Sequence, residues 1–339
     1  MEIKQKNYNL EIIRVVSAFF VVAIHVANYY CRRWEYISDG QYIFSVIINT
    51  IARFSVPCFF LISGSLLMGR QESLGKHGKR LWHFARILVF WSLFYYIFNI
   101  LYVGKDSQLD TLLVEPVKAH LWYLYALIPI YLILPFIQVM VHNMDEILDK
   151  ALIALCLVSL FLLYFLSLGK EELYYDIPLI GDRSYSVYFF MGYYIKKYAQ
   201  RIRLSTLQLT GIFLGCTCAD IILTLWMSFS THNFYERFLE YGNPLVFLSG
   251  ISLFMLLYKL QDGHMNLSGL KLKIVTVLGN CGLGIYLIHV VFLDIYKKNV
   301  DVTTLPSFVG IPLLAIGIFA ASFFFVYLLK KIPLIQKVF

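Results

Sequence analysis

The sequence predicts an all-α integral membrane protein of about ten transmembrane helices, and three observations carry that prediction. Hydrophobic residues make up 59% of the 339-residue chain and charged residues 15%, with a mean hydropathy of +0.69. Soluble domains carry about 25% charged residues. Ten segments approach or reach the roughly 17–25 mostly apolar residues that a spanning helix needs. They lie near 10–29, 42–67, 83–102, 121–140, 148–168, 184–198, 207–228, 241–260, 274–296 and 307–329. The connections between them are short, so residues 1–339 read as one membrane domain with no separate soluble domain.

The first segment follows Lys4 and Lys6, which is how a signal peptide begins, but Cys31-Arg32-Arg33-Trp34-Glu35-Tyr36 follows it instead of a small-residue cleavage site. It is therefore expected to be a retained helix. Punctuation falls where helices are expected to break or kink: Pro57 in the second segment, Pro129 and Pro135 in the fourth, Pro178 before the sixth and Pro312 in the tenth. The sixth segment is short for a span. A net charge of +8 raises the question of nucleic acid, but its distribution answers it. Lys76, Lys79, Arg80, Lys196, Lys197, Lys330 and Lys331 lie in connections that alternate to one side, with fewer basic residues in those on the other. That bias predicts both termini in the cytoplasm and no nucleic-acid partner. The six cysteines are scattered, and Cys216-Thr217-Cys218 has neither zinc spacing nor a nearby histidine. No metal and no bound cofactor are expected.

Polar residues inside the apolar segments need a reason, because a charge at mid-membrane costs roughly 2.5–3.5 kcal/mol even on the lenient insertion scale. Arg14 and His25 stand eleven residues apart in the first segment. Eleven steps of about 100° return a helix to within roughly 20° of its start, so the two share a face about 16 Å apart along the axis. Arg14 can alternatively snorkel or pair with Glu11, three residues before it, and His25 can be a neutral packing residue. Arg53 lies too deep in the second segment for easy snorkelling. It needs an anionic ligand, a set of carbonyls or a buried acid, of which Asp220 is the obvious one. His120 and His289 fall at the same depth as His25, a level suited to acid–base chemistry.

These residues sit in recognisable motifs. Glu11-Ile12-Ile13-Arg14 followed by ten residues and His25, Ser55-Val56-Pro57 running to Ser63-Gly64, His120-Leu121-Trp122, and Gly284-Ile285-Tyr286-Leu287-Ile288-His289 occur in that order. Together they resemble the acyltransferase-3 family of integral membrane O-acyltransferases. The likeness is greatest to the compact branch that includes the enterobacterial common antigen O-acetyltransferase. One departure stands out: where the family carries Arg-x-x-Arg, this chain has Lys79-Arg80, then His83 and Arg86.

The resemblance implies an acyl-CoA, usually acetyl-CoA, as cytoplasmic co-substrate and a glycan or lipid-linked sugar hydroxyl as acceptor, in the bacterial cytoplasmic membrane. It implies His25 and Arg14 as catalytic residues, with Arg14, Lys79, Arg80, His83 and Arg86 binding acyl-CoA. Arg53 and Ser63 would then stabilise the oxyanion or acyl group, and His120, Trp122 and His289 would meet the acceptor. Kinked helices with charges at mid-depth also describe a substrate pathway, so an exporter of a glycan or small polar substrate is the competing expectation.

Overall fold

The computed structural model describes residues 8–104, 114–170, 185–264, 269–333 and 335–339, and among them every regular element is a helix. Lys4, Lys6 and Pro178 lie outside the described residues. The α-helices in chain order are α1 (Tyr8–Cys31), α2 (Asp39–Ala52), α3 (Ser55–Leu67), α4 (Leu74–Phe98), α5 (Trp122–His142), α6 (Glu146–Leu168), α7 (Tyr185–Lys197), α8 (Thr206–Thr231), α9 (Pro244–His264), α10 (Gly269–Asn299) and α11 (Ser307–Leu329). Nine stretches among the described residues are long and apolar enough to cross a membrane, α2 and α3 counting as one. The remaining expected segment, the sixth, is α7, which at 13 residues spans only about 20 Å against a hydrocarbon core of about 30 Å.

The second span breaks at Arg53–Phe54, upstream of the expected Pro57. The reason is the geometry of proline: its missing N–H and bulky ring act on the carbonyl four residues earlier, which belongs to Arg53. Pro57 itself sits in the first turn of α3, where an N–H has no helical partner anyway. Pro129, Pro135 and Pro312 do not break their helices: α5 and α11 run through them. Each frees one carbonyl, a loss that neighbours make good in membrane bundles. α4 begins at Leu74, well before residue 83, because its first turns carry Lys76, Lys79 and Arg80 and are invisible to hydropathy. It ends in a five-residue π-turn, Asn99–Val103, closed by Gly104 at φ 75°.

α1 is the centre of the bundle, packed against α2, α3, α9, α10 and α11. α6 and α8 lie at the edge and present Val158, Phe165, Ile222 and Trp226 outward, as lipid-facing helices should. The closest packing is between α3 and α7, where small residues let backbones meet. A side-chain carbon on Gly64 would collide with the Phe189 carbonyl, and one on Gly192 with the Leu61 carbonyl.

Gly64→Ala and Gly192→Ala should each lower the thermal midpoint of purified protein, corresponding to about 1–3 kcal/mol of overpacking. Gly215→Ala on α8, where nothing stands within 4 Å, should leave it unchanged or raise it. A midpoint unaffected by Gly64→Ala would contradict the α3–α7 contact.

Candidate functional site

α1 carries Arg14 and His25 on the face turned to an internal cavity of about 320 Å³. Arg14, His25, Arg53, Ser63, His120 and Trp122 all line it, drawn from α1, the α2–α3 break, α3 and the start of α5. Six of the residues expected from sequence therefore face one space. Arg14 is fixed by an ion pair to Glu11 at 2.8 Å, and its side chain remains 26% exposed, so the guanidinium keeps a free side for a ligand. Gly282 of α10 lies against the Arg14 stem, 3.5 Å from where a side-chain carbon would stand.

His25 meets two other imidazoles. Ring centroids lie 4.9 Å apart for His25 and His289, 6.3 Å for His25 and His120, and 5.4 Å for His120 and His289. His120 enters through a single 3-10 turn, Ala119–Leu121, just before α5. Its Nε2 faces the Leu287 carbonyl at 3.2 Å, and the His289 Nδ1 faces the Tyr286 carbonyl at 2.6 Å. A carbonyl only accepts, so these contacts require the proton on His120 Nε2 and on His289 Nδ1. The opposite nitrogens, His120 Nδ1 and His289 Nε2, are buried without a hydrogen-bond partner among the described residues. No carboxylate among the described residues pairs with any of the three. His289 lies behind the cavity wall, fully buried. Tyr286 of α10 donates to the His120 carbonyl, and Tyr95 of α4 donates to Leu287 at 2.7 Å, so α4, α5 and α10 are bound together at this level.

Arg53 is not ion-paired to Asp220. Its Nε donates to Asn49 Oδ1 at 2.9 Å, and its guanidinium lies 5.8 Å from the Tyr241 ring centroid. Asn49 in turn donates to Asn28 Oδ1 at 2.7 Å, while Asp220 accepts from Asn243 at 3.1 Å. Ser63 lines the cavity together with Tyr123 and Tyr131. Trp122 packs between Tyr185, at 4.8 Å, and Tyr241, at 5.6 Å. It is a wall shared with two tyrosines.

The α4 residues are placed differently. Lys79 is exposed, and Arg80 pairs with Glu72 at 2.6 Å. Arg86 donates from Nε to the Lys337 carbonyl at 3.1 Å and contacts His83 Nδ1 at 3.2 Å, so it holds the C-terminal turn Ile335–Val338. None of the four lines the cavity, although Phe84 of the same helix does. Tyr131, a cavity residue of α5, packs on Phe84 with ring centroids 5.0 Å apart, so α4 meets the cavity there. The sequence reading passed over Asn28, Asn49, Tyr123, Tyr131 and Tyr241. The two amides carried a signal, since an Asn in an apolar span is as conspicuous as an Arg. The tyrosines, among 25 in the chain, carried none.

The family model described as an acyltransferase domain matches residues 7–330. With four of its motifs gathered around one cavity, the chain belongs to the acyltransferase-3 family and is a multi-pass membrane acyltransferase. No curated protein and no solved structure matches it.

Glu72 lies in the connection between α3 and α4. Partial burial raises its carboxyl, but hydrogen bonds from Arg80 and Arg70 outweigh this and hold it below the ordinary carboxylate value. A depressed folded value means stabilisation that is complete above the ordinary value and lost as pH falls through the folded one. Thermal midpoints of wild type and Glu72→Gln should thus differ at neutral pH and converge on acidification. A constant gap would contradict the assignment.

Proposed function

We propose that the protein is an O-acetyltransferase of the kind exemplified by the enterobacterial common antigen enzyme. It would move an acetyl group from cytoplasmic acetyl-CoA to a hydroxyl of a cell-envelope glycan or its lipid-linked precursor, in the bacterial inner membrane with both termini in the cytoplasm. The observation that carries this reading is the single cavity lined at one end by Arg14 and at the other by His25. A long polyanionic donor needs a cation for its phosphates and a separate group at its distant thioester, and these two residues stand about 16 Å apart on α1.

In this reading Arg14 grips a phosphate through its forked guanidinium, and the adenosine end extends toward Lys79 and Arg80 on the first turns of α4. Arg86 is left out of the donor site because it holds the C-terminal turn, and His83 because it is engaged by Arg86. His25 removes the proton from the acceptor hydroxyl as its oxygen attacks the thioester carbonyl. The negative charge that develops on the carbonyl oxygen is met by Arg53, held in place by Asn49 and Tyr241, with the Ser63 hydroxyl nearby. Collapse breaks the carbon–sulfur bond. The thiolate leaves with the proton from His25, and the acetyl ester stays on the sugar. His120, Trp122 and His289 shape the acceptor side.

The division of labour is testable with purified protein. Arg14→Ala should raise the KM for acetyl-CoA with a smaller effect on kcat, whereas His25→Ala should spare acetyl-CoA binding and lower turnover by about 10²–10⁴-fold. Equal loss of binding in both variants would contradict it. A protein that neither hydrolyses acetyl-CoA nor acetylates glycan, yet moves glycan across vesicles, would instead be an exporter.

A further inference from the structure

A second cavity, of about 740 Å³, opens at the end of the bundle beyond His25. Its walls come from the end of α1, the turn that follows, the start of α2 and the α8–α9 connection, and its lining is mainly polar. Glu35, Asp39 and Glu236 supply carboxylates, and Trp34 and Phe234 supply aromatic surface. Arg32 is already engaged with Glu236 at 2.7 Å, tying the α1 end to the α8–α9 connection across the mouth. Trp34 is held upright: its ring stacks on Tyr42 with centroids 3.9 Å apart, and its Nε1 donates to Asp39 at 2.8 Å. His232, another lining residue, sits at the C-terminal cap of α8 at φ 50°. Glycine is the usual occupant of that left-handed position; here it places an imidazole in the cavity wall.

This space is separated from the central cavity by very little. Asn28 lines the central cavity and Cys31 lines the outer one. These residues are three positions, or about 4.5 Å, apart on α1. The partition between them is the Asn49 side chain, which donates to Asn28 at 2.7 Å and lies 4.0 Å from Cys31 Sγ. Asn49 is also the residue that holds Arg53.

We infer that the outer cavity is a binding site for an uncharged or amino sugar, which it delivers to His25 past the Asn28–Asn49 partition. The delivery clause rests on the acyl-transfer reading above; the binding itself does not. The chemistry of the lining selects this class. Carboxylates accept hydrogen bonds from vicinal hydroxyls or an ammonium, an aromatic face covers the apolar side of a pyranose, and an excess of acids disfavours a uronic acid. The lone strong cation, Arg32, is occupied by Glu236.

The test is saturation-transfer NMR on the full chain in phospholipid nanodiscs free of sugar detergents, with methyl glucoside, methyl glucosaminide and methyl glucuronide as probes. The glucoside and glucosaminide should give signals and the glucuronide weaker ones. Trp34→Ala should reduce them by about fivefold. Because Trp34 also packs on Tyr42, Glu35→Gln, at an exposed position, serves as the second variant and should reduce the glucosaminide signal more than the glucoside one. Absence of any sugar signal, strongest binding of the glucuronide, or binding unchanged in both variants would overturn the assignment. Sugar binding at this site without acetyl transfer would leave the assignment standing and count against the enzyme reading alone.

Discussion

A guanidinium placed inside an apolar bundle has to be satisfied there, and Arg53 is where this bundle meets that demand. Pro57 acts on the Arg53 carbonyl, so the second span breaks at this residue and α2 and α3 become separate helices. The break leaves the side chain facing a cavity, not packed into a helix–helix seam. Asn49, one turn earlier on α2, accepts from its Nε, and Tyr241, just before α9, offers a ring. Asn49 also binds Asn28 on α1. One partly buried cation thus ties α1, α2 and the entry to α9, and its side chain lines the same cavity as His25.

The three imidazoles follow a similar logic at the next level. His120 and His289 give one ring nitrogen each to backbone carbonyls of α10, which fixes their tautomers without any carboxylate. Carbonyls, unlike a carboxylate, orient these rings without bringing a formal charge of their own to the site. His25 stands against both of them and opens to the cavity, which is the arrangement expected of a base that must take and return one proton. At the other end, Arg14 keeps Glu11 on one side and the cavity on the other.

Much of this was legible in the sequence because charge in an apolar span is costly and therefore conspicuous. Arg14, His25, Arg53 and His120 could be singled out on that ground, and each lines the cavity. The same argument applied to Asn28 and Asn49, which a reading focused on ionisable groups passed over. What lay beyond the sequence has physical reasons. The charged first turns of α4 are hidden from hydropathy, whereas α7 is the expected short sixth segment. Pro57 shifts its break four residues upstream, while Pro129, Pro135 and Pro312 are absorbed by their helices. Arg86 occupies a motif position, yet the C-terminal turn reaches it first, a contact between residues about 250 positions apart in the chain that no local pattern announces.

The central claim is that the line from Arg14 to His25 is the track along which the acyl donor lies. A structure of the protein with a non-hydrolysable acetyl-CoA analogue tests it most directly. The account predicts phosphate oxygens within hydrogen-bond distance of Arg14, the pantetheine arm along α1, and the acyl carbonyl beside His25 and Arg53. An analogue bound outside the cavity, or with its phosphates at His25, would contradict it.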